Sequence, residues 1–138
     1  MLRVRASGTF DVVVFEQTEL RATPDLATGL PVGVWTMEKT YAGELTGRSA
    51  TLLTAAFDRP KGIGTYVAME SFEGSIGGRS GAFNFVHSAA TTGTDRTDEF
   101  FTIVASSGTG ELAGISGVGG MTIDPDGTHN IWFDYELG

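Results

Sequence analysis

The stretch Tyr66–His87, YVAMESFEGSIGGRSGAFNFVH, decides the fold. Two runs of alternating apolar and polar residues flank Gly77-Gly78, a dipeptide typical of a two-residue hairpin turn. The turn fixes a register whose opposing pairs are Ile76 with Arg79, Phe72 with Phe83, Glu70 with Phe85, and Ala68 with His87. The stretch therefore predicts an antiparallel hairpin.

One face of this hairpin is strongly aromatic and is expected to point inward. It carries Tyr66, Ala68, Glu70, Phe72, Phe83, Phe85 and His87. Glu70 and His87 are diagonal neighbours across the strands, where long side chains can meet. Burial raises the pKa of a carboxyl group and lowers that of an imidazole, while their mutual attraction opposes both shifts, so the pair could act as a general acid or base. The alternative is a mutually satisfied buried pair that fixes the strand register, or a different register altogether.

The remaining sequence also alternates in segments separated by glycine and turn residues. About eight strands are predicted, at Val4–Glu16, Gly33–Leu45, Arg48–Phe57, Gly64–Ile76, Arg79–Ala90, Arg96–Ala105, Gly117–Asp124 and His129–Leu137. Short turns such as Thr46-Gly47 imply antiparallel neighbours, and residues 17–32 form a long loop that is a candidate lid. We expect one domain over residues 1–138, a closed eight-stranded antiparallel barrel with little or no helix. A two-sheet sandwich is the alternative.

Composition excludes several functional classes. The 138 residues include 17 acidic and 9 basic side chains, a formal net charge of −8, which disfavours nucleic acid and anionic membranes as partners. No apolar run approaches the roughly 20 residues that cross a bilayer, and the N-terminus does not resemble a secretory signal. We therefore expect a soluble, cytoplasmic protein. The absence of cysteine excludes disulfides, thiolate metal sites and thiol nucleophiles.

The glycine-rich segment 108–120 does not have the pattern of a nucleotide-binding loop. It lacks a Gly-Lys-Ser/Thr ending, no helical pattern follows it, and Glu111 would repel phosphate. A tight corner of the barrel is the expected role of these glycines. The serines at 80 and 116 lack the spacing of a nucleophile elbow, and two unpaired histidines make no metal site. Neither a cofactor nor a metal is predicted.

Other polar groups share the parity of apolar strand positions. Lys39 lies two positions from Tyr41, and Tyr135 lies two positions from Phe133, so each pair is on one face of its strand. If those faces point inward, as the aromatic face of the hairpin does, all four side chains would be in the interior. The predicted substrate-binding residues are Tyr66, Phe72, Phe83, Phe85, Lys39, Tyr41 and Tyr135. The alternatives are a lysine that reaches the rim and a core tyrosine bonded to backbone. Trp35 and Trp132 are expected to be packing or rim aromatics, and His129 to be solvated.

Several motifs, taken in order, resemble a known family. They are Gly8-Thr9-Phe10, Lys39-Thr40-Tyr41-x-Gly43-x-Leu45-x-Gly47, Glu70-x-Phe72-x-Gly74, Gly77-Gly78-Arg79-Ser80-Gly81-x-Phe83-x-x-x-His87-Ser88 and Gly108-Thr109-Gly110-Glu111-Leu112-Ala113-Gly114. The chain resembles a bacterial family of uncharacterised proteins related to the allene-oxide-cyclase-like barrels, outside residues 17–32. The resemblance implies an eight-stranded antiparallel barrel. Enzymes of the wider superfamily fold a reactive hydrophobic substrate in an apolar cavity, but their catalytic residues match no positions here.

The leading functional hypothesis is a cofactor-independent isomerase or cyclase, or a lyase of similar demands. It would act on a small, mainly apolar molecule inside the barrel, with Glu70 and His87 as the catalytic residues that handle a proton. The rival is a non-catalytic, lipocalin-like carrier of a small hydrophobic ligand. A third hypothesis is a barrel whose interior is filled by side chains and which acts through an oligomeric surface. A homo-oligomer is therefore one of the alternatives.

Overall fold

The structure is a computed structural model that describes residues 3–93 and 95–138. Eight strands follow one another along the chain. They are β1 (Val4–Gln17), β2 (Val32–Gly43), β3 (Leu45–Asp58), β4 (Ile63–Ile76), β5 (Arg79–Thr92), β6 (Arg96–Ile103), β7 (Ser116–Ile123) and β8 (His129–Glu136). The helical content of the described residues is one 3₁₀ turn, Gly110–Leu112. The predicted all-β fold is confirmed.

All eight strands belong to one antiparallel sheet in which neighbours in sequence are neighbours in space. The first strand also pairs with the last, from Val4 opposite Tyr135 to Phe10 opposite His129, so the sheet closes on itself. Closure protects the backbone hydrogen-bonding groups that sheet edges would expose. Alternate residues of every strand therefore point into a common interior.

The hairpin register predicted from Gly77-Gly78 is confirmed by the β4–β5 ladder. All four predicted pairs occur, including Glu70 opposite Phe85 and Ala68 opposite His87. The two glycines have φ values of +58° and +83°. Positive φ at both central residues is the requirement of a type I′ turn, which glycine meets without strain.

The turn between β2 and β3 was predicted about three residues too late, at Thr46-Gly47 instead of Gly43-Glu44. The chain reverses at Gly43, where φ is +105°, so Leu45 begins β3 instead of ending β2. Gly47 lies inside β3, not in the predicted Thr46-Gly47 turn, and its α-carbon faces the carbonyl oxygen of Glu73 so closely that a Cβ would overlap it. Close backbone approach within a strand and a turn both favour glycine, and the sequence does not distinguish them.

The strands differ in length, and this gives the interior one open end. Strands β1 to β5 have 12 to 14 residues, whereas β6 to β8 have 8 each. Residues 18–31, which join β1 to β2, lie outside the strands at the open end, as the predicted loop at 17–32 requires.

The other end of the interior is closed by packed apolar side chains. The core includes Phe72, Phe83, Phe85, Phe133, Leu45 and Ile76. The glycine-rich connection between β6 and β7 adds the buried side chains of Leu112 and Ile115, and its 3₁₀ turn was not expected from the sequence. This segment covers the end of the sheet, which explains its need for compact, glycine-rich backbone.

Candidate functional site

A buried carboxylate, Glu70, is the centre of the polar groups inside the sheet. It comes from the middle of β4 and has no solvent exposure. One carboxylate oxygen, Oε1, accepts hydrogen bonds from Lys39 Nζ at 2.9 Å and from His87 Nε2 at 3.0 Å. The other, Oε2, accepts from the hydroxyl groups of Tyr41 and Ser49. The adjacent strands β3 and β5, together with β2 one strand further away, thus each supply donors to one carboxylate.

These donors determine the charge of Glu70. Burial alone would raise the pKa of Glu70, but the hydrogen bond from His87, the charge of Lys39 and the two hydroxyl groups together lower the pKa to about 2. Glu70 is therefore ionised at neutral pH, and its two oxygens are fully occupied. Tyr41 stays protonated, because burial first and the charge of Glu70 second raise the pKa of its phenol.

The imidazole of His87 connects this buried group to the open end. An ionised carboxylate can only accept, so Nε2 of His87 carries the proton that Glu70 receives. The other ring nitrogen, Nδ1, lies 3.0 Å from the hydroxyl of Tyr66 and accepts its hydrogen bond. Burial lowers the pKa of His87, although the hydrogen bond to Glu70 opposes this effect. The ring is therefore neutral at pH 7, with a basic nitrogen directed at Tyr66.

Tyr66 and Arg96 are the outer members of the same hydrogen-bond chain. Arg96 donates from Nη2 to the Tyr66 hydroxyl at 2.9 Å and from Nε to Glu99 at 2.9 Å. Burial raises the pKa of Tyr66, while the hydrogen bond and positive charge of Arg96 act in the opposite direction. A continuous series of donors and acceptors thus runs from Arg96 through Tyr66 and His87 to Glu70.

Two adjoining cavities at the open end meet at Tyr66. The larger, about 300 Å³, is mostly apolar and is lined by Phe15, Trp35, Leu53, Ala55, Phe57, Arg59, Tyr66 and Thr91. The smaller, about 170 Å³, lies over Lys39 and His87 and also contacts Leu53, Tyr66, Arg96 and His129. The larger alone reaches the lower end of the ~300–1,000 Å³ range of small-molecule sites.

A third cavity reaches His87 from the side of the sheet. Among the described residues, the ladder between β6 and β7 consists of one pair, Thr102 with Val118. The space beside it, about 280 Å³, is lined by residues that include His87, Arg96, Phe101, Gly119 and Trp132. His87 is therefore adjacent both to the open end and to the junction of two weakly paired strands.

The structure brings most of the predicted site residues together. Lys39, Tyr41, Tyr66, Glu70 and His87 form the polar network. By contrast, Phe72, Phe83 and Phe85 are packed against one another below it, with at most 2% of their surface exposed, so they form its floor.

Tyr135 points into the interior as predicted but lies apart from the network. Its hydroxyl is beside Gly77, at the closed end of the sheet. Pairing of Tyr135 with Val4, at the start of β1, places it there. The structure therefore does not bring Tyr135 to the cavities.

Several residues of the site were missed or misplaced by the sequence analysis, and three of them illustrate the reasons. His129 is half-buried, not solvated, because its ring stacks on Phe10 at 4.9 Å between centroids. Arg96 follows a turn and has no apolar alternation around it that would indicate an inward position. Phe15 lies after an irregularity of β1 between Val12 and Val14, which shifts the alternation on which inward positions are predicted.

Within the described residues, no three His, Asp or Glu side chains are grouped closely enough to hold a metal ion. Likewise, no helix of residues 3–93 and 95–138 has the length and apolarity needed to cross a membrane.

Residues 6–135 match the model of a family described as a protein of unknown function, DUF3224. The chain belongs to this family. Among solved structures, the DUF3224 chain is similar to the crystal structure of a protein with unknown function from the same family in Shewanella oneidensis MR-1. The two share 29% sequence identity and a TM-score of 0.81 over 99% of each chain. No curated protein matches this DUF3224 chain.

Proposed function

We propose that the protein is a cofactor-independent isomerase or cyclase, or a lyase of similar demands, that moves a proton on a small, mainly apolar molecule held in the cavities at Tyr66. The sequence resembles an uncharacterised bacterial family related to allene-oxide-cyclase-like barrels, and a relation of that kind would support an apolar cavity. Support from the structure comes from the chemistry of the residues at the cavity wall.

The observation that carries the proposal is the hydrogen-bond chain from Tyr66 through His87 to Glu70. A proton donor bonded to a neutral imidazole, which is itself oriented by a carboxylate, is the arrangement that general-base catalysis uses on unrelated folds. As Tyr66 passes its proton to His87 Nδ1, the phenolate oxygen takes a proton from a carbon of the substrate. Return of the proton from His87 through Tyr66 to another carbon completes an isomerisation without loss or gain of atoms.

Glu70 has a positioning role in this mechanism. Its pKa of about 2 makes it a poor base at neutral pH, and it has no exposed oxygen to offer a substrate. Its negative charge would stabilise the imidazolium form of His87 that appears during transfer. We therefore assign proton transfer to Tyr66 and His87, where the sequence-based hypothesis placed it on Glu70 and His87.

The second candidate is a carrier of a small hydrophobic ligand. It is favoured by the apolar character of the larger cavity, where Phe15, Trp35 and Phe57 supply most of the wall. A carrier needs no oriented proton acceptor, whereas the buried charges around His87 cost desolvation energy. A measurement of proton transfer therefore distinguishes the proposed enzyme from a carrier.

The test is hydrogen–deuterium exchange on candidate substrates. The protein is incubated in D₂O with a panel of β,γ-unsaturated cyclic ketones, whose allylic protons a positioned base can remove, and isotope incorporation is followed by NMR. Tyr66→Phe should reduce any protein-catalysed exchange by about 10²-fold or more, the contribution typical of a general acid or base. Tyr135→Phe is the matched control, because it removes a hydroxyl at the closed end.

Exchange that survives Tyr66→Phe at the wild-type rate would contradict the proposed role of Tyr66. Binding of the ketones to the wild type without any exchange would favour the carrier.

A further inference from the structure

The walls of the larger cavity indicate the shape of the ligand. Phe15 and Trp35 stack with their rings 16° from parallel, 6.3 Å apart, and Phe57 and Tyr66 line the same space. Phe15 and Phe57 remain substantially exposed, although both are large and apolar. Aromatic rings bind other flat rings by offset stacking or edge contacts, in addition to the burial of area. These walls favour a planar ring system over a flexible chain.

The smaller cavity indicates the charge of the ligand. Both histidines of the chain, one of its two lysines and Arg96 line this space, although the chain has a net charge of −8. No carboxylate is among its described lining residues. Glu70 lies beneath it with both oxygens occupied by donors. The polar end of the site is therefore rich in donors in an otherwise acidic protein.

Arg96 is the residue best placed to bind an acidic group. A guanidinium group has five N–H donors in a planar fork that matches a carboxylate, and its bonds to Tyr66 and Glu99 use two of them. The pair with Glu99 is half-exposed on the Glu99 side, so it is weakened by solvent and a ligand carboxylate can replace it. Arg96 also donates to the Tyr66 hydroxyl, so an acid bound to Arg96 would lie beside the group proposed to transfer the proton.

We propose that the ligand of this site is a planar aromatic acid, with its rings against Trp35 and Phe15 and its carboxylate on Arg96. The inference rests on the site of the proposed function and adds the chemical class of its ligand.

The test compares three probes by isothermal titration calorimetry. They are 2-naphthoate, its neutral analogue 2-naphthamide, and decanoate, an acid with a flexible chain. The wild type should bind naphthoate at least about tenfold more tightly than naphthamide, as expected for a charge-assisted bond that the amide lacks. It should also bind naphthoate at least about tenfold more tightly than decanoate, because a flexible chain loses conformational freedom on binding and cannot stack on the aromatic wall. Arg96→Gln should abolish the preference for the acid over the amide, and Arg96→Lys should retain part of it. Arg48→Gln is the matched control, since Arg48 pairs with Glu73 on the outer face of the sheet.

Equal affinity for naphthoate and naphthamide would overturn the proposed carboxylate contact, as would an acid preference that survives Arg96→Gln. Decanoate binding as tightly as naphthoate would overturn the planar ring. Failure of all three probes to bind at millimolar concentration would overturn the inference as a whole. These results are independent of proton exchange, so a selective binding site without catalysis would refute the proposed function and leave the ligand class standing.

Discussion

Replacement of Glu70 by glutamine is the most informative perturbation of the buried network. Lys39 is only 2% exposed, and Glu70 is the carboxylate paired with it. Glu70→Gln therefore leaves an ammonium group buried without its counter-charge, and it puts an amide N–H₂ where one carboxylate oxygen had accepted a hydrogen bond. Breaking a buried pair from one side costs about 3–5 kcal/mol. That is a large share of the ~5–15 kcal/mol that stabilises a typical domain.

The assay is equilibrium unfolding in urea at pH 7, with the free energy of unfolding as the measured quantity. Glu73→Gln is the matched control, because it makes the same change three residues along β4, on the outer face. There the pair with Arg48 is exposed to solvent, so we expect little change. The double variant Lys39→Met with Glu70→Gln removes both charges and should recover much of the loss, since no buried charge is then left without its partner.

If Glu70→Gln unfolded with the wild-type free energy, Glu70 would not be the ionised partner of a buried lysine. A double variant no more stable than Glu70→Gln would also contradict this pairing, since the loss would then have a cause other than the unpaired ammonium group.

Three further predictions follow from the network and the backbone. Burial lowers the pKa of His87 from its ordinary value of 6.5. As the pH falls below about 6.5, the imidazole therefore takes up a proton in the unfolded chain before it does so in the folded protein, and the free energy of unfolding present at pH 7 decreases on acidification. His87→Gln should flatten the fall in unfolding free energy between pH 7 and 5; an unchanged slope would show that His87 does not cause it. Nitrogen-15 NMR at pH 7 should find the His87 ring protonated at Nε2 alone, and a signal from protonated Nδ1 would contradict the assigned direction of the Tyr66 bond. Gly47→Ala should destabilise the fold by ~1–3 kcal/mol in urea unfolding, because φ is +144° and the Cβ would overlap the Glu73 carbonyl oxygen, whereas Gly29→Ala, with open space around it, should not.

Local alternation determined how much of the fold could be predicted from the sequence. The two glycines at 77 and 78 fix both the turn type and the register of the hairpin, so the pairing of Ala68 with His87 followed by counting. The position of Gly47 was harder to predict. A glycine required by a neighbouring strand's carbonyl group has the same sequence signal as a glycine required by a turn, and only the paired strand distinguishes them.

The site was predictable where it lies on regular strands and not elsewhere. Glu70, His87 and Lys39 have the parity of buried neighbours, so their inward position could be inferred. Their bonding could not, because the approach of β2 to β4 across the interior depends on how the sheet curves. Arg96 is the first residue of β6 and follows a turn. No earlier strand residue shows which positions face the interior, so the inward position of Arg96 could not be inferred from alternation.

The single-pair junction between β6 and β7 lies beside a second cavity that reaches His87 from the side of the sheet. A molecule bound at His87, as proposed, would have two routes out, one past Trp35 and the other between two strands that share a single backbone pair among the described residues. Entry and departure therefore need not use the same route. In the proposed enzyme, a product would then be able to leave through the side of the sheet while the next molecule arrives through the open end.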